Sequence, residues 1–162
     1  MGKLLLAVAM VALLSAPAMA RGWNATLGVD QEVTEYVFVG GLYDNDYGFS
    51  MAFGVAKQIT GPLWSLTRGV IGEPGAALEP DFAMFAHKDG WRIGAIAGPN
   101  VDWIGSETPV AVATGAAGVL GGYVSNRTNR GVIVGAKYKW AWDGDSPYKD
   151  GWQAFATLVY GF

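Results

Sequence analysis

Bulky apolar side chains recur at every second position through several stretches of this 162-residue chain, and glycine, small or polar residues fill the positions between. The C-terminal stretch is the clearest. Trp152, Ala154, Ala156, Leu158, Tyr160 and Phe162 fall on one face of an extended chain, and Gly151, Gln153, Phe155, Thr157, Val159 and Gly161 on the other. Before it, Val132, Val134, Ala136, Tyr138, Trp140 and Trp142 alternate with Gly131, Gly135, Lys137 and Lys139. Residues 47–57 repeat the pattern: Tyr47, Phe49, Met51, Phe53 and Val55 lie opposite Gly48, Ser50, Ala52, Gly54 and Ala56. A period of two is the period of a β-strand.

The two faces decide which strand protein this is. A soluble sandwich or lipocalin-like binder, the exported alternative, hides large apolar groups in a core and shows charge to water. Here the polar face is too small and glycine-rich for a solvated surface. It suits the crowded interior of a narrow barrel whose large apolar face meets lipid. Segments of about 9–11 residues are the length that a tilted membrane strand requires.

Eight spans follow, at 34–43, 46–57, 63–71, 80–88, 90–98, 110–124, 131–142 and 151–162. Eight is the smallest closed barrel of this kind. The expected fold is all-β, an antiparallel up-and-down transmembrane barrel. The span at 110–124 lies in the uncharged run Thr108 to Asn126, which is read as strand. Its Gly115, Gly118, Gly121 and Gly122 would cost a helix about 1 kcal/mol each relative to alanine. Residues 23–30 also alternate and are taken as a lead-in to the first strand.

Asp89-Gly90 is a type I′ hairpin signal. Pairing outward from it sets Lys88 against Trp91, His87 against Arg92, Ala86 against Ile93, Met84 against Ala95 and Phe82 against Ala97. The linkers 58–62, 89–90 and 125–130 are short and expected on one side of the membrane; 72–79, 99–109 and 143–150 are longer and expected on the other, joined there by the short turn Asp44-Asn45. Tyr47, Trp64, Trp91, Tyr138, Trp140, Trp142, Trp152 and Tyr160 are expected in the two interfacial girdles. Arg68 shares a face with Trp64, Leu66 and Val70. On the lipid face it must snorkel to an interface, since mid-bilayer it would cost about 2–4 kcal/mol.

Residues 1–20 read as a secretory signal. Lys3 is the basic start, Leu4 to Leu14 the apolar run, and Ala18-Met19-Ala20 the small-x-small cleavage site. Residues 21–162 then form one domain. The chain has no cysteine, so disulfides and thiolate chemistry are excluded. A net charge of −3 without any basic cluster speaks against nucleic acid as a partner.

Leu158-Val159-Tyr160-Gly161-Phe162, with alternate apolar positions ending in an aromatic residue, resembles the terminal strand signal of small bacterial outer-membrane β-barrels. That resemblance implies an outer-membrane location, recognition of the last strand by the barrel assembly machinery, and contact with outer-membrane lipid and lipopolysaccharide. The short linkers then face the periplasm and the long ones the exterior, where they present a surface whose ligand the sequence does not name. A monomer is expected.

Catalytic equipment is sparse. His87 is the only histidine. It is read as an inward side chain near Arg92, and as a general base only if a nucleophile and an acid lie in reach. Tyr123-Val124-Ser125-Asn126 is locally similar to the His-x-Ser-Asn motif of outer-membrane lipid A deacylases, which makes Ser125 a candidate nucleophile and a lipid A-modifying enzyme the alternative reading. The base of that motif is replaced by Tyr123, whose ordinary pKa near 10 makes it a poor base. Asp143, Asp145 and Asp150, like Asp44 and Asp46, lack calcium-loop spacing, and no cofactor or metal is expected. Lys137, Lys139, Arg92, Asp81 and His87 project to the expected interior and must be paired or hydrated there. A non-enzymatic barrel with a plugged polar interior is the primary reading.

Overall fold

A computed structural model describes residues 33–45, 48–72, 75–104, 108–147 and 149–162. The signal at 1–20, the alternation at 23–30 and the girdle position Tyr47 fall outside them.

Eight antiparallel strands follow one another in order: β1 (Glu35–Asp44), β2 (Gly48–Thr60), β3 (Leu63–Gly72), β4 (Gly75–Lys88), β5 (Trp91–Ile104), β6 (Val110–Val124), β7 (Arg130–Ala141) and β8 (Gly151–Gly161). Each pairs with its neighbour, and β8 returns to β1 through Tyr36↔Gly161 to Asp44↔Gln153, so the sheet closes without an edge. No helix occurs among the described residues. The glycine-rich run at 110–124 is the longest strand.

At the predicted hairpin, Asp89 and Gly90 have φ of 51° and 84°, the left-handed pair that a type I′ turn requires. Every expected pair is present, from Lys88↔Trp91 to Phe82↔Ala97. Pro80 and Pro99 fall opposite one another where the ladder is interrupted; neither has an N–H to give. The register is unchanged beyond them.

Parts of two expected loops are strand instead. Residues 75–79 belong to β4 and 99–104 to β5, so the expected loop segments 72–79 and 99–109 shrink. The alternation continues through both prolines, because a proline on an outward position loses one ladder bond without breaking the extended chain. Between β7 and β8 the long connection remains.

The connections at Gly61-Pro62, at Asp89-Gly90 and between β6 and β7 gather at what is called here the turn end, together with Val33 and Phe162. The other rim is the loop end.

Large apolar groups point outward all round the wall. Phe49, Met51, Phe53, Ile71, Phe82, Ile93, Val134 and Leu158 are among the exposed ones, Phe49 at 86% and Leu158 at 62%. Trp64 departs from its expected girdle place, and Arg68 from the lipid face. Both point into the lumen, with 3% and 2% exposure. Trp64, Arg68 and Val70 do share a face, and that face of β3 is the inner one.

Candidate functional site

The lumen divides into two stacked halves of opposite chemistry. In the loop-end half, three cations meet four carboxylates. β7 places Lys137 and Lys139 on successive inward positions; β4 does the same with Glu79 and Asp81. Lys137 Nζ donates to Glu79 Oε2 at 2.9 Å and to Asp81 Oδ2 at 2.7 Å. Lys139 Nζ donates to Glu79 Oε1 at 3.1 Å and Asp102 Oδ1 at 2.7 Å, and lies 3.8 Å from Asp44 Oδ2. Arg68 reaches the same acids, 3.1 Å from Glu79 Oε2 and 3.1 Å from Asp81 Oδ2.

Neutral groups complete this network. Thr114 donates to Asp102 Oδ2 at 2.6 Å, and Gln153 donates to Glu79 Oε1 at 2.8 Å. All of these side chains are almost fully buried. Charges removed from bulk water this completely are tolerated because each faces several opposite charges or dipoles. Gly118 makes room for the network, for a Cβ there would strike the Ala136 carbonyl and the backbone of Lys137.

The turn-end half is apolar. Tyr36, Phe38, Trp64, Leu66, Phe85, Leu120, Val124, Ile133 and Phe155 surround a cavity of about 60 Å³. Trp64 packs edge-on to Phe85 and tilted against Tyr36. Phe155 lies where a Cβ on Gly135 would be, so that glycine is a seat for the ring. Arg68 stands 4.4 Å above the Phe155 ring centroid and joins the two halves. Arg92 donates to the Tyr36 hydroxyl at 3.3 Å on the turn-end side.

Of the five expected interior residues, Lys137, Lys139, Asp81 and Arg92 are buried in the lumen, and His87 is half-buried at the turn end, paired in register with Arg92. The network residues not anticipated are Asp44, Arg68, Glu79, Asp102, Thr114 and Gln153. Glu79 and Asp102 sat in segments expected to be loops. Inward parity carried back from Asp81 and forward from Arg92 and Ile96 finds them.

Ser125 sits in the β6–β7 turn, where its hydroxyl accepts from the N–H groups of Arg127 and Thr128, both at 3.3 Å. Tyr123 projects from the outer wall and packs edge-on to Trp91 at 5.5 Å. The Asp143 carboxylate accepts from the Asp145 N–H and the Asp150 carboxylate from the Ala141 N–H, so both shape their own loop. No cluster of three potential metal ligands occurs among the described residues.

The crystal structure of the N-terminal β-barrel domain of Pseudomonas aeruginosa OprF superposes with a TM-score of 0.67 at 12% identity, covering 80% of this chain and 97% of that one. The fold is a transmembrane β-barrel. A de novo designed protein, TMB2.3, solved by solution NMR, gives a TM-score of 0.49 at 17% identity over 83% of this chain and 98% of its own. No protein-family model matches the sequence, and no curated protein matches it.

Proposed function

We propose that this chain is exported behind residues 1–20 and embedded in a bacterial outer membrane as a non-enzymatic barrel, closed to free solute passage and presenting its loop end outside the cell. The observation that carries the reading is the inversion of a soluble protein. Exposed Phe, Leu, Ile, Val and Met girdle the wall, and the ion pairs lie inside. A wall of that kind is compatible with hydrocarbon and would drive association in water.

The contents of the lumen support closure. Eight strands enclose space for side chains alone, and here the loop-end half is occupied by salt bridges of 2.7–3.1 Å. Opening a path means separating several buried charges from their partners, a change that costs more than thermal motion supplies. The role left is structural, with the connection between β7 and β8 and the neighbouring rim offered to an external partner. Lipopolysaccharide and the barrel assembly machinery are the proposed membrane partners, the second through the strand that ends in Phe162.

Two measurements test this reading. The protein should fractionate with outer membrane and migrate differently in unboiled and boiled SDS gels. Reconstituted in a planar bilayer, it should give no porin-like conductance. Recovery of folded protein from periplasmic extract without detergent contradicts the membrane assignment, and a large steady conductance contradicts the closed lumen.

A further inference from the structure

Outward residues at the turn end form two cross-strand rows on β1, β8 and β7. Val37, Tyr160 and Arg130 are in register in the row nearer the rim; Val39, Leu158 and Val132 lie in the next row toward the membrane centre. Between them runs a shallow groove of about 470 Å³, whose outer lining is Val37, Val39, Leu158, Tyr160 and Arg130. Arg130 is held with its guanidinium carbon 4.8 Å from the centroid of the Tyr160 ring. A guanidinium stacked this way keeps its in-plane N–H groups available, and that fork matches two oxygens of a phosphate.

Charge favours an anion at this spot. Among the described residues no carboxylate forms an ion pair with Arg130. On β1, Glu35 lies two residues from Val37 toward the rim and is engaged by Lys57 at 2.6 Å.

We propose that this groove is a binding site for one anionic phospholipid, its headgroup phosphate on Arg130 beside Tyr160 and an acyl chain along Val39, Leu158 and Val132. The proposal rests on the membrane reading above and adds to it a place on the wall and a lipid class. The occupant is a membrane lipid and not a free phosphate, because the cation continues directly into an apolar track that only an acyl chain would cover. A net-negative headgroup is preferred over a zwitterionic one, since the charge of Arg130 is not offset by an ion pair among the described residues.

The test is native mass spectrometry of the full mature chain in detergent, titrated with phosphatidylglycerol or phosphatidylethanolamine of identical acyl chains. The wild type should retain phosphatidylglycerol with a roughly fivefold preference, the ratio that corresponds to one basic side chain at an anionic surface. Arg130→Gln should collapse that preference, Arg127→Gln in the adjacent turn should leave it intact, and millimolar inorganic phosphate should not displace the lipid. The gel shift on boiling shows that each variant is folded. Equal retention of the two lipids by the wild type, an unchanged preference in Arg130→Gln, or displacement by inorganic phosphate overturns the site while leaving the membrane barrel standing. A protein folded and monodisperse without detergent overturns both.

Discussion

In the loop-end half of the lumen Arg68, Lys137 and Lys139 meet Asp44, Glu79, Asp81 and Asp102, whereas in the turn-end half Trp64, Phe85, Leu120, Ile133 and Phe155 meet chiefly one another. Both halves are filled from inward positions, largely of the same strands, at opposite ends of each. What differs is how sharply each depends on its individual members. An apolar half loses contacts in proportion to the volume removed, so its losses are graded. A charged half fails more abruptly, because deleting one ion leaves its partners buried and uncompensated.

Substitutions can break or sharpen this contrast. Lys137→Met removes the cation shared by Glu79 and Asp81. It should destabilise the barrel by about 3–5 kcal/mol, read from urea unfolding in lipid vesicles. Leu120→Ala in the other half should cost about 2–4 kcal/mol, enlarging a cavity that is already present. If Lys137→Met proves the milder of the two, the two halves do not differ as described.

A double-mutant cycle sharpens the point. Lys139→Met and Asp102→Leu each leave a partner buried, so the double variant should recover roughly 1–3 kcal/mol relative to the sum of the singles. Additive losses would mean that the 2.7 Å contact between them carries no coupling. Ile133→Val should cost about 0.5–1.5 kcal/mol by the same unfolding measurement. The exposed Lys57–Glu35 pair is the reference for an ion pair in the open, and Lys57→Ala should change stability by less than about 1 kcal/mol.

The contrast also explains what could be read in advance. The strands at residues 131–142 and 151–162 were legible because their outer faces carry only alanine and large apolar residues, while glycine, lysine, glutamine or threonine recurs on their inner faces. Asp89-Gly90 fixed the β4–β5 register without any tertiary information, because few other dipeptides accept two positive φ angles in a row. β3 was misaimed for a physical reason. Its inner face carries Trp64 and Val70, packed in the apolar half and beside it, so bulk alone does not distinguish lumen from lipid there.

The ion network was half visible. Lys137 and Lys139 announced themselves as charges on a face that also carries Gly131 and Gly135, and Asp81 by lying opposite the face of Phe82 and Met84. Glu79 and Asp102 were hidden by prolines that mimic loop boundaries, and Arg68 by its apolar companions. Partner choice inside a barrel is set by strands far apart in sequence, β4 with β7 and β5 with β7, and no local pattern encodes it.

Which way the bulky residues face decides everything else, and the absence of native cysteine makes it directly measurable. Single cysteines at Phe53, Val134 and Leu158, spin-labelled in reconstituted vesicles, should be relaxed strongly by oxygen dissolved in the bilayer and weakly by an aqueous nickel chelate. Strong relaxation by the chelate at these positions, or protection from both reagents, would place them in water or in a central core and contradict the account.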